Sequence, residues 1–122
     1  MFAETGMSAA SNPSMGIAWL LLLLAGISEI AWAVGLKYTH GFSRLWPSIG
    51  TLTMMVVSVV LLALALKRIP LGTGYAVWTG IGAVGTAVLG IVLFNESRDA
   101  WRLLFIGFIV TGIVGLKIVS AE

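Results

Sequence analysis

The chain carries four apolar runs of about 20 residues each, parted by three short stretches that hold most of its charges and turn formers. At roughly 1.5 Å per residue, about 20 apolar residues cross a hydrocarbon core of about 30 Å, so each run predicts one transmembrane helix. The helices are expected over 16–36, 47–66, 72–94 and 101–119. Their connections are KYTHGFSRLW (37–46), KRIPL (67–71) and NESRDA (95–100). Trp46 and Pro47 open the second helix: proline in a first turn forfeits no hydrogen bond, and tryptophan suits the headgroup layer, a position that Trp101 repeats on the fourth helix. The pattern predicts an all-α membrane protein, with residues 16–120 forming one four-helix transmembrane domain.

Composition agrees with the pattern. Apolar residues make up 59% of the chain and charged residues 10%, against about a quarter charged in a soluble domain, so a water-facing surface could not be built. Residues 1–15 are small and polar without a basic cluster, and they read as a disordered extension instead of a cleavable signal, with Met7 or Met15 as alternative starts. The first helix would then serve as an uncleaved signal anchor. The absence of cysteine excludes disulfides and thiolate metal sites, and a single histidine, His40 in the first loop, cannot hold a metal alone and is expected to be solvated. A net charge of +2 is too small to point to nucleic acid. The basic residues divide evenly. Lys67, Arg68 and Lys117 fall on the side of the termini, and Lys37, Arg44, Arg98 and Arg102 on the other, a three-against-four balance that sets no preferred orientation.

Against this background one residue is out of place. Glu29 lies within the first span, in LLLLLAGISEIAWAVGLK, where a carboxylate costs several kcal/mol and is retained for function. The other acids, Glu4, Glu96, Asp99 and Glu122, sit in termini or the third loop and can be solvated. Helical spacing places Gly26 and Trp32 on the face of Glu29, with small Ala25 and Ala33 one turn to either side, a set that predicts a cavity beside the carboxylate. The second helix offers one deep hydroxyl, Ser58, and the third offers Tyr75, Trp78 and Thr79. These groups can donate hydrogen bonds to a carboxylate and present ring faces to a cation.

The third helix is rich in glycine, and Gly80 and Gly82 near its midpoint are candidates for a hinge. The fourth carries Gly107, Thr111 and Gly115 at spacings of four with no deep charge, a stripe expected to pack against another helix. Four helices barely surround a ligand, and one carboxylate neutralises one charge. A homodimer supplies what is missing, and with undecided orientation the simplest partner is antiparallel, giving dual topology and two Glu29 side chains in one cavity.

GISEIAWAVGLKYTHGFSRLWPS (26–48) and IPLGTGYAVWTGIGAVG (69–85) together resemble the small multidrug resistance family of proton-coupled cation exporters, and the resemblance extends over 16–120. Ser28 beside Glu29, Trp32 and the run Gly35-Leu36-Lys37 resemble the guanidinium exporter subtype more than the quaternary-ammonium exporters. Gly74 stands where the family pattern leads one to expect alanine. The resemblance implies a multi-pass protein of the bacterial cytoplasmic membrane, an antiporter in which Glu29 is the shared site for protons and substrate. It also implies that Trp32, Ser58, Tyr75 and Trp78 orient that site. Guanidinium fits such a site chemically: it is planar, stays charged and offers two parallel N–H donors to one carboxylate, whereas a quaternary ammonium has no donor and needs an aromatic cage.

Two other readings fit the same residues. One is a polyspecific exporter of quaternary-ammonium and hydrophobic cations; the other is a non-transporting membrane subunit that assembles or regulates a partner. No nucleophile with a neighbouring base, no paired carboxylates within the chain and no phosphate-binding loop is present, so no enzyme and no cofactor are expected.

Overall fold

The computed structural model describes residues 12–120. The extension expected over 1–15 therefore lies mostly outside the described residues. Four helices follow: α1 (Met15–Tyr38), α2 (Leu45–Ala65), α3 (Leu71–Phe94) and α4 (Ala100–Val119). Each is long and apolar enough to cross a membrane. The observed ends fall within two residues of the expected ones, because charges and turn formers interrupt the apolar runs sharply.

Local chemistry explains these limits. Helix α1 begins at Met15 because the Ser14 hydroxyl accepts the Ile17 N–H at 3.2 Å, capping the first turn. It ends in a loop where His40, Gly41 and Phe42 all take positive φ and where Thr39 accepts the Phe42 N–H at 3.1 Å. His40 is exposed there, as expected of a loop residue. Helix α3 ends at Asn95 in the left-handed conformation, and the N–H groups of Asn95 and Glu96 both return to the Gly90 carbonyl, turning the chain back over the helix end. Trp46 and Trp101 are 75% and 66% exposed in the first turns of α2 and α4, the positions where an indole meets the headgroup layer.

Helix α1 packs against both α2 and α3, whereas α4 packs chiefly on α3 and meets α1 through Lys117, which lies 4.9 Å from the centre of the Trp19 ring. The buried core is thin and one-sided. Ala18, Leu22 and Ala25 of α1 meet Leu62 and Ala65 of α2, Ile69, and Val77 and Trp78 of α3, all within the half of the bundle nearer the termini. Helix α4 contributes no buried residue. Much of the apolar surface faces outward, which lipid tolerates where water would not, and close approach of helices through small residues supplies the packing.

Candidate functional site

Glu29 lies on α1 at the edge of the packed core. Its carboxyl group rests directly on Gly82 of α3, in the space that a side chain at that position would fill. Its Oε1 is buried with no hydrogen-bond partner. A carboxylate in such a place is an unmet acceptor, which a proton, a cation or a water molecule can satisfy. No set of side chains among the described residues could hold a metal ion.

One turn from Glu29, three helices are tied by a short buried chain. The Ser58 hydroxyl donates to the Ala25 carbonyl at 2.7 Å, and Trp78 Nε1 donates to Ser58 Oγ at 2.9 Å. Tyr75 covers Trp78 with tilted rings 5.4 Å apart and is itself 55% exposed. Sequence spacing led to the expectation that Ser58 and Trp32 donate to Glu29. The geometry differs: Ser58 has one proton, and the Ala25 carbonyl takes it, while Trp32 Nε1 is buried without a partner. Ser28 likewise turns inward on its own helix, donating to the Leu24 carbonyl at 2.9 Å. Thr79 is exposed.

The small residues divide into two groups. Gly26 accommodates the Ile81 side chain and Ala25 is fully buried, so the α1 face preceding Glu29 is filled by helix packing. The Ala33 side opens into a cavity of about 350 Å³ between α1 and α3, and a second, apolar one of about 350 Å³ lies nearer the termini beside Trp19, Leu22 and Leu23 of α1. Helix α3 runs unbroken through Gly80 and Gly82; Gly80 admits Ile113 of α4 and Gly82 admits Glu29. Gly74 is seated against the Leu66 side chain, which gives its departure from alanine a local reason. Gly107 and Gly115 have open space over them and Thr111 is exposed, bonded only to the Gly107 carbonyl at 2.9 Å.

Sequence reading did not single out Gly82 as the seat of the carboxylate, nor Thr86, whose hydroxyl is also buried and without a partner. The signal was present: Trp78, Gly82, Thr86 and Gly90 recur every four residues and form one stripe along α3. Because a methyl group at 82 would collide with the Glu29 carboxyl, Gly82→Ala should lower cation transport about five- to a hundredfold, the collision being worth roughly 1–3 kcal/mol. Transport by reconstituted protein, compared with Gly72→Ala, where the added group meets nothing, checks this.

Fold and site together define a small multi-pass membrane protein with one deep, partnerless carboxyl group. Comparison with known proteins narrows the class. A family profile described as Small Multidrug Resistance protein matches residues 17–109. The chain is 62% identical over 104 residues to the "Guanidinium exporter" of Yersinia pseudotuberculosis, covering 85% of this chain and all of the relative. It is 61% and 60% identical over 102 residues to proteins of the same name from Salmonella typhimurium and Escherichia coli, covering 84% of this chain and 97% of each relative. The chain belongs to the small multidrug resistance family.

Proposed function

We propose that the protein exports guanidinium and small substituted guanidinium cations across the bacterial cytoplasmic membrane in exchange for protons, as an antiparallel homodimer. The observation that carries the reading is the partnerless Glu29 carboxyl seated on Gly82, in a chain about 60% identical to proteins named for guanidinium export. A planar guanidinium can place two N–H donors on the two oxygens of one carboxylate, and a proton satisfies the same group in its absence. The two ligands exclude each other, and that exclusion couples their fluxes. An empty pair of charged carboxylates is costly in the bilayer, so only loaded states cross and the proton gradient drives export.

The surrounding groups hold the site instead of binding the carboxylate themselves. Ser58 and Trp78 pin α2 and α3 to the α1 turn before Glu29, which fixes where the carboxyl group emerges. Tyr75, stacked on Trp78 and exposed, and Trp32, with a free indole N–H, are placed to line the space a second protomer would close. Gly80 and Gly82 let α3 approach α4 and Glu29, and they are the positions where α3 would flex as the dimer exchanges its open side.

The test is flux into proteoliposomes under an imposed pH gradient. Guanidinium should move and tetraalkylammonium ions should not; the opposite result would select the polyspecific reading. Because protons compete for the same oxygens, guanidinium affinity should fall as the pH is lowered from about 8 to about 6, by up to about tenfold per unit once Glu29 is mostly protonated. An affinity constant across that range would remove the shared site.

A further inference from the structure

The cavity beside Glu29 has a direction. Its inner end is lined by Ala33, one turn beyond Glu29 on α1, and by Ala83, next to the Gly82 seat. From there it follows α3 past Thr86 and Gly90 to the third loop, where Lys37, Glu96 and Arg102 line its outer end. At the mouth, Arg102 holds Glu96 at 3.0 Å and the Ser97 carbonyl at 2.8 Å, while Lys37 lies 5.6 Å from the centre of the Phe94 ring. The outer end is thus charged and the inner end, at Ala33, lies one helical turn from Glu29.

Thr86 stands midway. Thr53, Thr111 and Ser28 each donate to the carbonyl four residues earlier, the usual resort of a hydroxyl on an apolar helix. Thr86 makes no such bond, and its buried oxygen has no partner at all. A group left this way costs roughly 1–3 kcal/mol unless water or a ligand meets it. Glu29 Oε1 and Thr86 Oγ1 are both in that position; Thr86 lines the cavity, and Gly82, on which the Glu29 carboxyl rests, is one helical turn away on α3.

We infer that the α1–α3 cavity is a hydrated path by which small hydrogen-bonding cations pass between the third-loop face and Glu29, with Thr86 as the hydrogen-bonding station along it. The inference deepens the proposed export of guanidinium and rests on it for the identity of the cation, while the hydrated path itself does not. The Thr86 hydroxyl accepts an N–H of the passing ion, or a proton of its water shell, before Glu29 is reached. The alanines at 33, 83 and 87 keep the passage wide, and the Arg102–Glu96 pair closes its outer end with a carboxylate already matched to a guanidinium. Thr86 therefore governs the rate of access and leaves the equilibrium hold of Glu29 on its cation unchanged.

Two measurements test this. Thr86→Val keeps the shape and removes the hydroxyl. In proteoliposomes it should slow guanidinium exchange about five- to tenfold, with equilibrium guanidinium binding changed less than about twofold, and Thr86→Ser should restore the rate. An unchanged rate, or a rate and an affinity that fall together, would overturn the role of Thr86. The second measurement needs no transport substrate. The chain has no cysteine, so single cysteines can be placed at Ala83 and Ala87 in the cavity and at Val88, beside Ala87 but outside the cavity and 46% exposed. A membrane-impermeant cationic thiol reagent should modify positions 83 and 87 and spare 88. Equal modification at all three, or none at 83 and 87, would show that the passage is not hydrated. If wild-type protein moves no guanidinium while positions 83 and 87 are labelled, the path stands and the substrate reading fails.

Discussion

Glu29→Gln should abolish proton-coupled guanidinium transport while leaving the protein folded. The amide has nearly the shape of the carboxyl group, so it still fits over Gly82, and the neighbouring chain from Trp78 through Ser58 to the Ala25 carbonyl does not include Glu29. What is lost is charge. A guanidinium bound by two charge-assisted hydrogen bonds gains roughly 1.5–3 kcal/mol from each, so their loss should weaken binding by more than about a hundredfold. The amide also takes up no proton, so nothing remains to exchange. The measurements are guanidinium uptake under a pH gradient, guanidinium binding, and the elution volume and helical circular dichroism of the purified variant. Uptake still driven by the gradient would mean that Glu29 is not the coupling group and would overturn the shared proton and cation site. Glu29→Asp separates charge from reach. It keeps the charge but draws the carboxyl back from Gly82, so it should retain pH-dependent binding at reduced affinity.

The four spans were legible because membrane insertion depends on length and apolarity, both linear properties of the chain. Glu29 was legible for the same reason, as the one ionisable side chain deep in an apolar run. The contacts that build the site were less so. Hydropathy does not tell which hydroxyl finds a backbone carbonyl before it finds a carboxylate, and Ser58 turned out to bond Ala25, one turn from the residue it was expected to serve. Nor does composition separate a glycine that flexes from one that makes room: Gly80 and Gly82 both sit in continuous helix with a neighbour's side chain against them. The small faces of α1 likewise looked equivalent on either side of Glu29, yet Gly26 is filled by Ile81 whereas Ala33 lines a cavity. These differences depend on how far α3 slides along α1, which no single segment encodes. Thr86 is recoverable in retrospect from its place in the stripe that runs from Trp78 to Gly90, since a hydroxyl on a face otherwise made of glycine and tryptophan is turned toward a neighbouring helix and not toward lipid.

Forcing the chain into one orientation should nearly silence it, and supplying the opposite orientation should restore activity. The protomer leaves its site unfinished: Tyr75 is exposed beside Trp78, Glu29 has no counter-charge, and α4 buries no residue. Along α4, the open space over Gly107 and Gly115 and the exposed Thr111 between them allow a second helix to approach closely. The basic residues, three on the side of the termini and four on the other, give the insertion machinery almost no preference, and on the proposed reading both orientations are made from one sequence. In the proposed antiparallel pair a second Glu29 would close the cavity, and the inward- and outward-open states would be equivalent by symmetry. Two lysines added to the second loop (67–71) should fix that loop in the cytoplasm, and two added to the third loop (95–100) should fix the reverse. Guanidinium export from cells making either variant alone should fall to a few per cent of the wild-type rate, roughly the loss expected when half of each site is missing. Co-expression of the two should return most of it, and cysteine pairs placed across α4 should cross-link only in antiparallel register. Full export from one trapped orientation would replace the antiparallel pair with a parallel dimer or a competent monomer.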